Sequence, residues 1–272
     1  MKEQIVQVIC DRLRAQADTL REQFANSSQE VGVRYTLLDN LLPESLARNI
    51  HNSFPTADAM RLMSSFREKK FTSKNFDKFD PLLADITFAV QDPRVLKLVQ
   101  DITGIHDQIP DSHLYAGGLS AMGQGHFLGP HIDNSHDGSR KYYRTLNPLY
   151  YVTPDWSLEY GGNLELWDTN VKRHTTITSE FNRFVIMETN PWSWHSVSKV
   201  RVDRLRCCVS NYYFSPTSPT GKDYFNVTSF SARPEQKALR ALAWTDNKLR
   251  QAVRWVAPAG LGKNDTYQGP AK

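Results

Sequence analysis

The sequence predicts an α+β fold with a β-rich core: a double-stranded β-helix (jelly roll) flanked by helices at the N-terminus and the C-terminus. Three observations predict it. From about 112 to 214, short runs rich in Tyr, Leu, Val, Ile and Phe recur between clusters of Gly, Pro, Asn and Asp, as in antiparallel strands. Ahead of that stretch, residues 1–28 and 81–104 place apolar side chains at helical spacing, and behind it 231–256 does the same. No internal repeat or low-complexity segment interrupts the 272 residues, so one domain is expected over 1–272: helical support with a first strand (1–111), the β-helix core (112–230) and a C-terminal helical extension (231–272).

Taken in order, Ile5, Val8, Ile9, Leu13, Leu20 and Phe24 form one stripe and predict a single amphipathic helix to about residue 28. VGVRYTLLDNLLPESLARNIHNSFP reads as a strand, a turn at Asp39-Asn40 and a helix that starts near Pro43 and stops before Pro55. Residues 56–80 show no clear period and predict a surface loop or lid. DPLLADITFAVQDPRVLKLVQDITG predicts helices on either side of Asp92-Pro93, with Gly104 as the stop. SHLYAGGLSAM, TLNPLYYV, NLELWD, HTTITS, RFVIMET and RCCVSNYYF predict the core strands. Leu239, Leu242, Trp244, Leu249, Val253 and Val256 predict the last helix, ahead of a terminus with several Gly and Pro.

Composition narrows the function classes. With 40% hydrophobic and 23% charged residues the chain can fill a sizeable core. A net charge of +4 without a Lys/Arg block gives no basis for nucleic-acid binding. No signal peptide or membrane span is read in the sequence, and a cytoplasmic location is expected. The sequons at Asn226 and Asn264 then carry no meaning. Cys10, Cys207 and Cys208 form no C-x-x-C pair and read as buried, reduced thiols, with Cys207 and Cys208 on opposite faces of a strand. Oligomeric state is left open.

The chemistry concentrates at FLGPHIDNSHD. On a strand, His131 and Asp133 share a face, so an imidazole and a carboxylate converge on one ion. NPWSWHSVSKV supplies a third ligand, His195. Two histidines and one carboxylate leave coordination positions open, the arrangement associated with non-haem Fe(II) oxygenases. A bare H-x-D is a weak signal, however. His136 competes as a ligand but lies in a polar turn and reads as solvated. His51, His106, His113, His126 and His174 have no carboxylate at comparable spacing.

The succession PHIDN, RTLNPLYYV, GGNLELWD, WHSVSKV and RLRCCVSNYYF resembles the prolyl-4-hydroxylase-like branch of the 2-oxoglutarate/Fe(II) oxygenases. RYTLLDNLLPESLA and DITGIHDQIPDSHLYAGGLS are similar to the segments that lead into the barrel there, so the resemblance runs over about 33–230. It implies Fe(II), 2-oxoglutarate as co-substrate and O2, with His131, Asp133 and His195 as the metal ligands and catalytic centre. It also implies an arginine on the last strand that grips the far carboxylate of 2-oxoglutarate, for which a planar guanidinium offers a matching pair of donors. Arg204 and Arg206 compete for that role. Arg206 is better placed, because it starts the apolar run and Cys208, Ser210 and Tyr212 follow at the next inward positions. Asn147, Tyr115 and Tyr212 are expected beside the co-substrate. Gly161-Gly162 resembles a turn of the family but is equally explained by positive φ. Arg144 reads equally as structural.

The expected activity is hydroxylation of an unactivated C–H bond of a small metabolite, an amino acid or sugar acid, with release of succinate and CO2. The carboxylate at Asp133 favours hydroxylation, since related halogenases resemble this pattern with Gly or Ala there. One alternative is a protein or peptide hydroxylase of the prolyl type. Another is a cupin-like metal-binding barrel that makes no use of 2-oxoglutarate and needs no arginine on the last strand. The 56–80 and 134–143 segments are expected to face the substrate, with Arg140 and Lys141 hinting at an acidic group on it.

Overall fold

A computed structural model describes residues 1–256 and Tyr267. The sequon at Asn264 and the end of the expected extension lie outside the described residues. The first helical stripe is two helices, α1 (Lys2–Ala15) and α2 (Ala17–Asn26), because the chain leaves helical geometry at Gln16. A single non-helical residue leaves the apolar stripe nearly in phase, and Ile5, Ile9, Leu13, Leu20 and Phe24 are all buried. A short α3 (Ser28–Val31) ends on left-handed Gly32 and leads to β1 (Tyr35–Leu38) and α4 (Glu44–Asn52).

The expected loop at 56–80 is instead a hairpin, β2 (Arg61–Ser64) and β3 (Glu68–Ser73). Its alternation is one of polar side chains facing a polar cavity, so no apolar period marks it. Helices α5 (Pro81–Val90) and α6 (Pro93–Thr103) each begin with an aspartate whose carboxylate accepts from the backbone, Leu82 N at Asp80 and Arg94 N at Asp92, followed by proline at the first turn. Gly104 ends α6 in the left-handed conformation, as its position predicts.

Eleven further strands follow among the described residues. They are β4 (Ile109–Pro110), β5 (Gly118–Met122), β6 (Phe127–Ile132), β7 (Tyr143–Tyr151), β8 (Leu164–Trp167) and β9 (His174–Ile177), then β10 (Arg183–Glu188), β11 (His195–Val197), β12 (Arg206–Ser210), β13 (Tyr213–Ser215) and β14 (Ser229–Phe230). The antiparallel sheet runs β1-β10-β7-β12-β5-β3-β6-β11-β8-β9. It curls on itself where β3 pairs with β5 through Phe71–Ser73 and with β6 through Glu68–Lys69.

Alternation sorts the core. Leu146, Tyr150, Phe184, Ile186, Cys207 and Val209 face outward into one apolar cluster with α1, α2, α5 and α6. Tyr151, Val185, Met187 and Cys208 face inward, against Leu164, Leu166 and Ile177 of the opposing strands. Cys207 and Cys208 therefore sit on opposite faces, buried and free, as expected. Truncating a fully buried ring such as Phe184 to Ala should cost about 3–5 kcal/mol. Gly161 turns the chain into β8 with φ +70°, and a Cβ there would lie 2.0 Å from the Lys199 carbonyl oxygen.

The last helix, α7 (Lys237–Val256), docks through polar contacts rather than through the apolar pattern that predicts it. Asn247 exchanges two hydrogen bonds with the Phe230 backbone, and Asp246 pairs with Arg67 at the tip of the β2–β3 hairpin. Leu242, Trp244 and Leu249 remain exposed. Among the described residues no helix is long and apolar enough to cross a membrane.

Candidate active site

The sheet brings His131 and His195 together by register: they are directly opposed on β6 and β11. Both rings are held alike, with Nδ1 3.0 Å from the carbonyl oxygen two residues earlier, Gly129 for His131 and Ser193 for His195. A carbonyl accepts only, so Nδ1 carries a proton, and in the neutral ring that leaves the lone pair on Nε2. Those Nε2 atoms turn to one carboxylate: His131 lies 3.7 Å from Asp133 Oδ1 and His195 3.8 Å from Asp133 Oδ2. All three donors lie within 4.8 Å of one another, close enough to hold one metal ion. Phe230 stacks on the His131 ring, and Asn226 donates to the Asp133 carbonyl at 2.8 Å.

Electrostatics set the protonation states that a metal needs. Burial, with the neighbouring His195, lowers the His131 pKa to about 3, so its ring is neutral at neutral pH. Burial alone would raise Asp133, but the Arg144 guanidinium and then the two histidines outweigh it and hold the carboxyl below its ordinary range. Arg144 is itself buried, with Nη1 3.3 Å from Asp133 Oδ1 and its guanidinium over the Tyr212 ring at 4.2 Å.

The three side chains open onto a cavity of about 390 Å³ that Arg206, Asn147, Tyr115 and Tyr212 also line. Arg206 is buried on β12 with its guanidinium 5.4 Å from the Tyr151 ring. It donates to the Met122 sulfur at 2.7 Å, and it has no carboxylate partner among the described residues. Arg204 is elsewhere. The chain becomes a strand only at Arg206, so the alternation that would put both arginines on one face does not extend to Arg204. Arg204 is exposed, donates to the carbonyls of Pro154 and Asp155, and lines a separate cavity with His51. His136 is not solvated as expected: it is buried against Tyr143, with Nδ1 2.7 Å from Ser135 Oγ, and does not line the cavity.

Sequence reasoning singled out none of several lining groups, although it expected the 56–80 segment to face the substrate. Leu149 and Tyr151 follow Asn147 on the inward face of β7, and Lys70, Glu68, Arg61 and Met63 project from the hairpin. Period-2 alternation from Asn147 would have found the first two. For the hairpin the only signal is a polar alternation that hydrophobicity does not register. The 134–143 segment is a turn organised by Asp137, which accepts from Ser139, Lys141 and Tyr142, and it lines a neighbouring groove instead.

Comparison with known proteins agrees with this architecture. Residues 117–214 match the 2OG-Fe(II) oxygenase superfamily. The match covers about a third of the chain, and the superfamily is one of enzymes that use iron(II) and 2-oxoglutarate. A curated relative, prolyl 3-hydroxylase OGFOD1 of Mus musculus, is 28% identical over 88 residues, 30% of this chain and only 16% of that protein's length. The fold is shared with a Pseudomonas putida prolyl-4-hydroxylase (TM-score 0.53, 14% identity, 73% of this chain and 98% of that one). It is shared too with a prolyl 4-hydroxylase from Phytophthora capsici (TM-score 0.51, 14% identity, 90% and 75%).

The residues present fit an iron ion and 2-oxoglutarate. Around the cavity, Asp133 Oδ2, Asn147 Oδ1 and Arg206 Nε are buried without a hydrogen-bond partner. Buried polar atoms are ordinarily satisfied, so three orphans around one cavity mark a place for a polar ligand. Their chemistry divides suitably: carboxylate and imidazole for a cation, guanidinium for a carboxylate.

Proposed function

We propose that the chain is an iron(II)- and 2-oxoglutarate-dependent hydroxylase acting on a prolyl-type residue of a protein or peptide. The observation that carries the reading is the coincidence, at one buried cavity, of the His131–Asp133–His195 donors with the anion-free guanidinium of Arg206. His131, Asp133 and His195 would hold the iron, and Arg206 would grip the far carboxylate of 2-oxoglutarate, with Asn147, Tyr115 and Tyr212 beside it. Arg204 takes no part in this reading. When bound, iron(II) with 2-oxoglutarate and O2 supplies the oxidising chemistry that replaces C–H by C–OH and releases succinate and CO2.

The chain's own residues make that chemistry orderly. The backbone carbonyls of Gly129 and Ser193 fix each imidazole tautomer, so both donors are aimed before metal arrives. Arg144 keeps Asp133 anionic and fixes its orientation. The inward faces of β7, β8 and β12 contribute Leu149, Tyr151, Leu164 and Cys208, which exclude water from the deep end.

Two features favour a peptide over the free metabolite expected from the compact chain. The curated relative is a prolyl hydroxylase by name. The cavity also adjoins two further depressions, one of about 510 Å³ that shares Tyr115 and one of about 490 Å³ that shares Leu128 and Val197. An extended chain crossing the cavity would use both, whereas a free amino acid needs neither. We assign 1–111, 112–230 and the segment from 231 onward to one oxygenase unit, since the hairpin and the core line this cavity and α7 pairs with the hairpin tip. The test is succinate release with proline-containing peptides, free amino acids and sugar acids, with mass spectrometry of each candidate. Hydroxylation of a free acid but of no peptide would overturn the peptide reading.

A further inference from the structure

We infer that Met122 is a positioning residue for the co-substrate: its thioether sulfur fixes the Arg206 guanidinium and leaves its charge for the far carboxylate of 2-oxoglutarate. This role rests on Arg206 as the anchor of that carboxylate, proposed above. Arg206 on β12 and Met122 on β5 are directly opposed in the register, and both side chains line the cavity. Arg206 Nη2 donates to the Met122 sulfur at 2.7 Å, while Nε is buried without a hydrogen-bond partner. The guanidinium is thus held at one donor and open at another, which suits it to receive a carboxylate without first having to reorient.

The acceptor atom gives the contact its meaning. A methionine side chain is ordinarily flexible. Here Met122 is 1% exposed and packs with Trp156 and Val200, so the sulfur is fixed in place. A thioether is a weak acceptor and carries no charge. It orients a buried arginine, yet it neither neutralises the guanidinium nor rivals a carboxylate for it. Leucine at this position would fill nearly the same volume and take the acceptor away from Nη2. Glutamate would do the opposite and occupy the arginine permanently. Met63 is the internal control, since it lines the same cavity from the hairpin, where its register partner is Lys70.

The test titrates the full chain, loaded anaerobically with Fe(II), with 2-oxoglutarate and separately with 2-oxobutyrate, and follows the visible charge-transfer band. 2-Oxobutyrate has the same chelating end but lacks the far carboxylate, so it does not engage Arg206. We expect Met122→Leu to raise the half-saturating 2-oxoglutarate concentration about fivefold, the scale of one weak hydrogen bond. Its 2-oxobutyrate titration and its turnover at saturating 2-oxoglutarate should match the parent. Met122→Glu should raise the 2-oxoglutarate requirement by about 30-fold or more, as Arg206→Ala does, and Met63→Leu should leave it unchanged. The 2-oxobutyrate band also shows that each variant keeps its iron site, and Met122→Leu, nearly equal in volume, decides the matter if Met122→Glu does not fold. An unchanged 2-oxoglutarate titration in Met122→Leu overturns the positioning role. So does an equal loss for both acids, which would make the contribution one of packing alone. If Arg206→Ala itself leaves the 2-oxoglutarate titration unchanged, the reading of Arg206 falls and takes the role of Met122 with it.

Discussion

The two ends of the cavity are built on opposite principles. At the deep end His131, His195 and Arg206 are almost wholly buried, Asp133 nearly so, and their orientation comes from neighbouring backbone and strand register. At the mouth, Arg61 is exposed and Lys70 is partly exposed, and they stand on a two-stranded hairpin. Buried charge is costly unless it is paired, so the deep end is committed to one ligand set and tolerates no alteration. Partly solvated charge interacts weakly, so the mouth can discriminate between substrates by modest factors and can change without loss of the fold. On the proposed function the chemistry belongs to the first region, and the second is where a substrate would enter.

The sharpest way to break this contrast is at the metal donors. Asp133→Ala or His195→Ala should abolish the visible charge-transfer band that anaerobic Fe(II) and 2-oxoglutarate give with the parent protein, and should lower turnover by more than about 100-fold. A band that persists at full strength in either variant would separate the iron from these residues. Next in size is Arg206→Ala, which should raise the 2-oxoglutarate concentration needed for half-saturation by about 30-fold or more, as expected when one partner of a buried charge pair is removed. Arg204→Ala should leave it unchanged, and the reverse pattern would transfer the role.

A third prediction concerns pH. The His131 pKa is lowered to about 3 in the folded chain, against 6.5 in the reference state, so the unfolded chain binds the proton more readily. In metal-free protein this contribution to stability is complete above about pH 6.5 and is lost as pH falls from 6.5 towards 3. Urea unfolding between pH 7.5 and 5 should show stability falling more steeply in the parent than in His131→Gln, by a slope that approaches one proton, with His51, His126 and His136, whose pKa values burial also lowers, contributing to both. Equal slopes would mean that the ring is not held neutral. The smallest effect belongs to the mouth: Asp246→Ala, which frees Arg67, should raise the peptide KM by about fivefold and leave the 2-oxoglutarate KM unchanged.

The same division explains what was legible in the sequence. The core strands, the Asp-Pro helix starts and the Gly104 stop carry local signals that no tertiary contact overrides. The convergence of His131, Asp133 and His195 at one point is readable because i and i+2 share a strand face, although only the sheet register brings His195 opposite. The break at Gln16 left too small a mark on the apolar stripe to be seen. The hairpin was read as a loop because it faces a polar cavity, where Lys, Arg and Glu replace the apolar residues by which strands are usually recognised. Arg204 and Arg206 could not be separated by spacing alone, since the strand boundary falls between them. The two depressions that adjoin the cavity are built from segments far apart in sequence and leave no local trace.

The contact between α7 and the hairpin tip links residues 179 positions apart in the chain, and Gly129, two residues before His131, also donates its N–H to the Arg67 carbonyl at 2.7 Å. The roof of the cavity is thus ordered before any substrate arrives, and the entropic cost of ordering it is met during folding rather than at each encounter. A chain that ends before α7 would retain the His131–Asp133–His195 cluster and Arg206, yet it would have to fix its roof anew with every molecule it binds.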